Sequence, residues 1–472
     1  MTSSGGPVLN SAFVAGALAR LLRGRGGTDR TFGRAIIDSR EARPGDLFVA
    51  LAGERTDGHD HAAAAVAAGA TGCLLGRIVE GTEGASRFYV DDPLLALQTL
   101  AAAWRQTLPN LEVLGVTGNT GKTTTKLIAA QLLEAKYAVQ VNPLNYNNEI
   151  SVPLCLLELR PETERAVIEH GMYTTGEIAL LTEWTRPRSG IVLNVGPVHL
   201  ERAGSIETIA RAKRELIEAL PASGHALLNA DDPLVAPMAA HTAATVTTFG
   251  TANDAQVRGR DVESSGAKGF AFTLEIDGEQ RQLRVPLPGT HLLSNVLASI
   301  AAAHVDDVPL DAIAAAVGRL SIPLRLSVST LGDGVTLLDD TYNANPASMN
   351  AALDLLAELP GRHVALLGDM RELGSEEDRA HQLIGERAGA ELDLLFTIGD
   401  LGQRIGEVAA AGGAEARHIE NKTDAASVLA EQLQPGDAFL IKASNALHLE
   451  TVVAELKTAM SKHTEDSAGE RP

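Results

Sequence analysis

Cysteine is almost absent from the 472-residue sequence, which contains only Cys73 and Cys155. Two cysteines cannot build a disulfide framework, and their spacing is not that of a metal site. We therefore expect both to be buried apolar side chains in a reducing compartment. Aromatic residues are also scarce, at 3%, whereas 45% of the residues are hydrophobic. The cores should therefore consist mainly of Ala, Val, Leu and Ile, which favours an α/β protein.

Long hydrophobic runs and basic stretches are missing as well. No run of about 18 apolar residues occurs, and residues 1–7 lack the features of a secretion signal. The 40 Lys and Arg against 60 Asp and Glu give a net charge of -20, and no basic stripe is present that would contact a nucleic-acid backbone. We therefore expect a cytoplasmic protein that neither enters a membrane nor binds nucleic acid, and that holds anionic substrates with a few placed cations, amides and metal ions. We also expect a monomer, although these patterns leave the oligomeric state open.

The order of apolar runs predicts an α/β fold of three domains. Residues 8–108 mix a helix at 11–23 with short strands at 46–51 and 72–75, and a boundary is expected at Pro109. The second domain should alternate parallel strands with helices. Its strands are predicted at 113–117, 166–169, 191–195 and 226–229.

A more polar stretch at 245–288 alternates with period two and predicts an antiparallel hairpin insertion. A further βα series indicates a Rossmann-like terminal domain, with strands predicted at 335–339, 363–367, 394–398 and 438–441. The expected domains are therefore 1–108, 109–320 and 321–460, followed by a disordered polar tail at 461–472.

The strongest local signal is an apolar strand followed directly by a glycine-rich loop and a helix. Residues 111–125 have the sequence LEVLGVTGNTGKTTT. In such a loop the backbone amides face a phosphate, Lys122 reaches the β and γ oxygens, and the Thr123 hydroxyl can bind Mg²⁺. Val116 stands where the usual pattern has its first glycine. The residues expected to bind nucleotide phosphates are Gly118, Asn119, Thr120, Gly121, Lys122, Thr123 and Thr124.

Three further polar residues are candidates for chemistry near this loop. Glu169 ends one apolar run and His199 follows another, so both are expected at the carboxyl edge of the sheet, where ligands gather. There they could hold Mg²⁺. Taken one at a time, the plainer interpretations are favoured: a solvated edge carboxylate for Glu169, a structural role for His199, and a solvated cation for Lys213, which lies on an amphipathic helix.

In order and spacing, these residues together resemble the Mur ligase family of amide-forming enzymes. The matching positions are the loop 117–124, residues 147–149, Glu169, His199, Lys213, residues 289–291 and Asn295. Segments similar to the UDP-sugar domain of that family occur at 38–40, 44–50 and 57–59. Segments similar to the branch that adds D-alanyl-D-alanine occur at 338–348 and 368–374. The resemblance therefore covers nearly the whole chain.

The resemblance implies a role for each matching residue. The catalytic residues would be Lys122, Glu169, His199 and Lys213. Magnesium would be held by Thr123, Glu169, His199 and Lys213, with a carbamate on Nζ of Lys213. Further ATP contacts would come from Asn295, Arg325 and Asp340. The substrates would be contacted by Ser39 and Arg40 on the UDP side and by Asn148, Tyr342, Asn343 and Asn345.

The reaction implied by the resemblance is ATP-dependent attachment of D-alanyl-D-alanine to UDP-N-acetylmuramoyl-tripeptide through an acyl phosphate, in peptidoglycan precursor synthesis. The sequence departs from the family pattern at Ser151, at His170 and at Asn445, where the family commonly has arginine. Two alternatives stay open: a ligase of the same family that adds a single amino acid, and a nucleotide-binding ATPase without ligase activity. The third residue of the tripeptide, L-lysine or meso-diaminopimelate, is also open.

Overall fold

The computed structural model describes residues 7–53, 56–143, 145–196, 204–322 and 326–469. The chain divides into two compact units. The first unit comprises Met1–Val195, Glu207–Phe249 and Ala298–Pro309, and the second comprises Gly196–Ile206, Gly250–Leu297 and Leu310–Pro472. Within the described ranges, no helix is both long and apolar enough to span a membrane.

The first unit begins with a small sheet of strand order β1-β5-β4-β3-β2, in which only β1 is antiparallel to its neighbour. Its strands are β1 (Leu22–Gly26), β2 (Arg34–Ile36), β3 (Asp46–Val49), β4 (Gly72–Leu75) and β5 (Ser86–Val90). Its helices are α1 (Ser11–Ala17), α2 (Ala62–Ala67) and α3 (Pro93–Gln106). The helix predicted at 11–23 is too long, because the residues of β1 pair with β5 instead.

Six parallel strands follow in the order β11-β10-β9-β6-β8-β7. They are β6 (Glu112–Thr117), β7 (Val139–Val141), β8 (Arg165–Glu169), β9 (Ser189–Val192), β10 (His225–Asn229) and β11 (Thr245–Gly250). The helices between them are α4 (Lys122–Leu133), α5 (Ser151–Glu158), α6 (Glu177–Thr185) and α7 (Ile206–Glu218). The predicted parallel series is confirmed, and β11 belongs to it rather than to the hairpin insertion.

Helix α3 connects the two sheets of the first unit. The indole nitrogen of Trp104 donates to the carbonyl oxygen of Leu159 at 3.0 Å, and Arg105 donates to the carbonyl oxygen of Thr185 at 3.1 Å. Apolar side chains from both sheets form one continuous buried cluster around this helix. Cys73 and Cys155 are both buried, as the sequence predicts, and burial raises the pKa of each thiol to about 12.

The second unit contains antiparallel strands β12 (Val257–Ser264), β13 (Phe270–Ile276) and β14 (Glu279–Val285), which include the predicted hairpin. Helices α8 (Leu293–Val305) and α9 (Leu310–Val317) follow. Helix α8 starts in the second unit and ends in the first.

A sheet of order β15-β16-β20-β17-β18-β19 completes the second unit, with only β15 antiparallel to its neighbour. Its strands are β15 (Ser327–Leu331), β16 (Val335–Asp340), β17 (His363–Gly368), β18 (Leu394–Ile398), β19 (Ala416–Ile419) and β20 (Ala438–Lys442). Its helices are α10 (Pro346–Ala357), α11 (Glu377–Glu391), α12 (Asp400–Ala411), α13 (Lys422–Gln432) and α14 (Glu450–Gly469). Helix α14 thus includes most of the tail for which the sequence predicts disorder. The α/β class with three sheets agrees with the prediction.

Candidate active site

The glycine-rich loop joins the end of β6 to the start of α4, as the sequence predicts. Gly121 has φ of 80°, a left-handed conformation that favours glycine, and stands at the N-terminus of α4 without a side-chain cap. A side chain at Gly118 would collide with the Cβ atom of Leu193 at 2.9 Å. The loop therefore needs glycine at both positions, and the positive end of the α4 dipole lies beside it.

Asn194, which follows β9, holds the loop in shape. Its Oδ1 atom accepts hydrogen bonds from the backbone nitrogens of Asn119 and Thr120, at 2.9 and 3.0 Å, and its Nδ2 atom donates to the carbonyl oxygen of Thr120. The Nζ atom of Lys122 donates to the carbonyl oxygens of Gly118 and Asn119, at 2.8 and 3.2 Å. Lys122 therefore stays over the loop that the sequence assigns to phosphate.

Glu169 lies at the carboxyl end of β8 and is buried, with 2% of its surface exposed, so the interpretation as a solvated edge carboxylate is wrong. The Thr123 hydroxyl donates to Oε2 of Glu169 and the Asn147 amide donates to Oε1, each at 2.8 Å. Lys126, also fully buried, places its Nζ atom 3.8 Å from Oε2. The structure thus brings two of the predicted magnesium ligands, Thr123 and Glu169, into direct contact.

This pair fits the expected metal. A hydroxyl oxygen and a carboxylate are hard oxygen donors of the kind that Mg²⁺ prefers, and they lie beside the loop predicted to bind phosphate. Within the described ranges, no group of three or more His, Cys, Asp or Glu side chains could hold a metal by itself. His199, the other predicted protein ligand on this edge, lies outside the described residues.

Lys213 is buried on α7, with 3% of its surface exposed, so the interpretation as a solvated lysine is wrong. Burial lowers the pKa of its amine well below the ordinary value, and the nearby charge of Lys122 lowers it further. Glu215, on the same helix, fixes α7 against α6. Its carboxylate accepts from the backbone nitrogens of Gly176 and Ala179, at 2.7 and 3.0 Å.

The small N-terminal sheet carries the residues predicted for the UDP group. Ser39 and Arg40 lie in a short 3-10 turn that Asp38 begins. Asp38 accepts from the backbone nitrogen of Arg40 at 2.9 Å and pairs with its guanidinium, which lowers the pKa of Asp38 to about 2. The exposed Arg40 side chain keeps its charge at the surface, where a diphosphate could reach it.

In the second unit, Asp340 ends β16 and pairs with the buried Lys442, which ends β20. The Nζ atom of Lys442 also donates to the carbonyl oxygen of Asn343, at 2.7 Å. Asn345 forms a capping box with Ser348 at the start of α10. Asn345 therefore shapes the loop 341–345, which contains the predicted substrate contacts Tyr342 and Asn343.

The remaining predicted contacts are distributed as follows. Asn295 lies on the first turn of α8 and is 9% exposed. The Oδ1 atom of Asn148 accepts from the backbone nitrogens of Ile150 and Ser151, and so orders the start of α5. Arg325 lies outside the described residues.

Sequence reasoning missed three site residues: Lys126, Asn194 and Lys442. Lys126 is four residues after Lys122 and lies on the same helix, but only the structure shows that it is buried beside Glu169. Lys442 directly follows the strand predicted at 438–441, and that position is a signal the sequence offers, whereas its partner Asp340 lies 102 residues away in sequence.

Comparison with known proteins matches all three parts of the chain. The Mur ligase middle domain matches residues 116–303, the Mur ligase glutamate ligase domain matches 324–445, and the Mur ligase family catalytic domain matches 35–104. A UDP-N-acetylmuramoyl-tripeptide--D-alanyl-D-alanine ligase from Synechocystis is 38% identical over 429 residues, which are 89% of this chain and 90% of that protein. The chain belongs to the Mur ligase family.

Solved structures agree with this Mur ligase assignment. A crystal structure of MurF from Acinetobacter baumannii is similar with a TM-score of 0.86 and 29% identity, over 96% of this chain and 99% of that chain. MurF ligase from Thermotoga maritima in complex with ADP is similar with a TM-score of 0.78 and 29% identity, over 91% and 98%. The predicted fold class and the predicted class of ATP-dependent, amide-forming ligase are confirmed.

Proposed function

We propose that this Mur ligase uses ATP to join D-alanyl-D-alanine to UDP-N-acetylmuramoyl-tripeptide in peptidoglycan precursor synthesis. The observation that carries the chemistry is the contact between Thr123 and Glu169 beside the glycine-rich loop. The choice of substrates is supported by the similarity to the Synechocystis ligase that is named for them. The use of ATP is supported by the similarity to the Thermotoga maritima protein in complex with ADP.

The main obstacle to this reaction is charge. The carboxylate that ends the tripeptide must approach ATP, and both are anions. Lys122 and the positive end of the α4 dipole would supply positive charge at the phosphates. Mg²⁺, held by Thr123 and Glu169 with phosphate oxygens and water, would neutralise further charge that develops on the phosphates.

The proposed chemistry has two displacements. An oxygen of the tripeptide carboxylate attacks the γ-phosphorus of ATP, and the bond from that phosphorus to the β-phosphate oxygen breaks. The products are ADP and an acyl phosphate of the tripeptide. The amine of D-alanyl-D-alanine then attacks the acyl carbon to give a tetrahedral intermediate. Collapse of that intermediate expels phosphate, and loss of the amine proton leaves the new amide. Lys122 would stabilise the negative charge on the phosphoryl group during its transfer and on phosphate as it leaves the acyl carbon.

We also propose that Lys213 carries a carbamate. A neutral amine reacts with CO₂, forming an N–C bond and losing a proton, and the lowered pKa of the buried Lys213 amine favours its neutral form. The product is an anion with two oxygens, which suits a hard cation, whereas a protonated lysine would repel it. Glu215 would keep this group in place, because it fixes α7 to the start of α6.

The other predicted contacts stay proposals for the substrate ends. We assign Ser39 and Arg40 to the UDP group, since an exposed cation beside a hydroxyl suits a diphosphate. Asn295, Arg325 and Asp340 are assigned to the nucleotide. The dipeptide and tripeptide contacts are assigned to Asn148, Tyr342, Asn343 and Asn345.

Phosphate release is expected only when ATP, a UDP-muramoyl-tripeptide and D-alanyl-D-alanine are all present. ATP and the tripeptide form the acyl phosphate, and the amine of the dipeptide consumes it. The assay should compare the dipeptide with D-alanine, glycine and L-glutamate at equal concentration. Release without any amine would favour an ATPase, and equal release with a single amino acid would favour another ligase of the family.

A further inference from the structure

The loops that follow β17 and β20 are joined at the carboxyl edge of the terminal sheet. The backbone nitrogen of Ser444 donates to the carbonyl oxygen of Asp369 at 2.8 Å, and the backbone nitrogen of Arg371 donates to the Ser444 hydroxyl at 2.9 Å. Ligands of sheets of this kind bind outside the carboxyl ends of the strands. The two joined loops are therefore placed where a substrate is expected.

Arg371 is held ready at this edge by a buried carboxylate. Its guanidinium donates to Oδ2 of Asp369 at 2.7 Å, and Asp369 has no exposed surface. The other oxygen of Asp369 accepts from the backbone nitrogens of Leu401 and Gly402, at 3.0 and 2.9 Å, in the first turn of α12. Those amides and the positive end of the helix offset part of the Asp369 charge, so Arg371 is not fully neutralised.

The guanidinium of Arg371 also faces solvent, with 51% of the side chain exposed. A guanidinium has five N–H donors in a planar fork that matches a carboxylate, and Asp369 takes only part of that capacity. Unlike Arg371, the lysines near this edge, in the described part of the chain, have partners within the protein. Lys442 is buried against Asp340, and Lys422 donates to the carbonyl oxygens of Leu447 and His448. Asn445, next to Ser444, is exposed and uncharged.

We propose that Arg371 binds the terminal carboxylate of the dipeptide substrate and selects for it. This inference rests on the proposed function, in which D-alanyl-D-alanine supplies its amine to the reaction and keeps its carboxylate. A fixed, half-exposed arginine can bind that carboxylate with two parallel hydrogen bonds while Asp369 prevents its side chain from turning away. Arg371 is thus a specificity residue, because it contacts a part of the substrate that does not react.

The test compares D-alanyl-D-alanine with its neutral C-terminal amide, D-alanyl-D-alaninamide. The wild type should prefer the carboxylate by about 10- to 100-fold in kcat/KM, the range expected for a charge-assisted hydrogen-bonded pair. Arg371→Ala should lose that preference through a higher KM for the dipeptide, with unchanged KM values for ATP and the UDP-tripeptide. Arg404→Ala is the matched control, since Arg404 has the same 51% exposure on α12, and it should keep the preference.

A rescue variant separates recognition from folding. Asn445→Arg in the Arg371→Ala background should restore part of the preference, because position 445 adjoins Ser444 and can present a guanidinium at the same edge. A wild type without preference, or an Arg371→Ala variant that keeps it, would overturn the assignment. A raised KM for ATP alone would also overturn it, since the anion bound would be a phosphate. If the wild type forms no product with the dipeptide, the proposed function falls, and this inference with it.

Discussion

Replacement of Lys122 with alanine is expected to lower turnover by about 10²- to 10³-fold, the range seen when one group that stabilises transition-state charge is removed. Lys122 is the first residue of α4, and its Nζ atom donates to two backbone oxygens of the loop between β6 and α4. Under the proposed assignment, the side chain supplies charge to the phosphates of ATP and contributes little to the core. The variant should therefore fold normally, which circular dichroism and thermal unfolding would check.

Lys136→Ala is the matched control for this prediction. Lys136 lies just beyond the other end of α4, where its exposed ammonium donates to the carbonyl oxygen of Asp307 at 2.8 Å. That variant loses a lysine from the same region but leaves the glycine-rich loop unchanged, so its turnover should stay close to that of the wild type. Near wild-type turnover in Lys122→Ala, with the fold intact, would refute the assignment of the loop to phosphate.

Lys213→Ala is expected to lose activity to a similar extent, and a small carboxylate such as acetate should restore part of it. The alanine variant leaves a space where the carbamate would have stood, and acetate can place two oxygens there. Lys213→Met is the companion variant, because its side chain fills the space without an amine. It should be as inactive as the alanine variant, yet acetate should not rescue it.

The carbamate can be detected without measuring activity. Wild-type protein in ¹³C-bicarbonate should give a carbamate resonance by NMR that is absent from Lys213→Met. Full activity in the alanine variant, or a wild type that gives the same spectrum as Lys213→Met, would show that Lys213 is an unmodified buried amine.

Much of the fold follows from patterns that are local in the sequence. The parallel strands β6, β8, β16, β17 and β20 are short apolar runs bounded by polar residues, and the glycine loop directly follows one of them. Strands β15 and β19 were missed because their residues are largely polar or only partly buried, so no apolar run marks them.

The candidate site was less accessible to sequence reasoning, because it depends on burial and on distant partners. The helical pattern around Lys213 is that of a solvated lysine, and only the packing of α7 shows that the amine is buried. Asn194 holds a loop that lies 74 residues earlier in the chain. Such contacts join residues from separate βα units, and no local pattern specifies them.

The most direct test of the proposed ligase reaction uses UDP-tripeptide labelled with ¹⁸O at both oxygens of its terminal carboxylate. With ATP, Mg²⁺ and D-alanyl-D-alanine, one labelled oxygen should appear in the released phosphate, and the other should stay in the carbonyl of the amide product. Mass spectrometry of both products gives the answer in one experiment. Unlabelled phosphate, or a tripeptide recovered without the added dipeptide, would contradict ligation through an acyl phosphate.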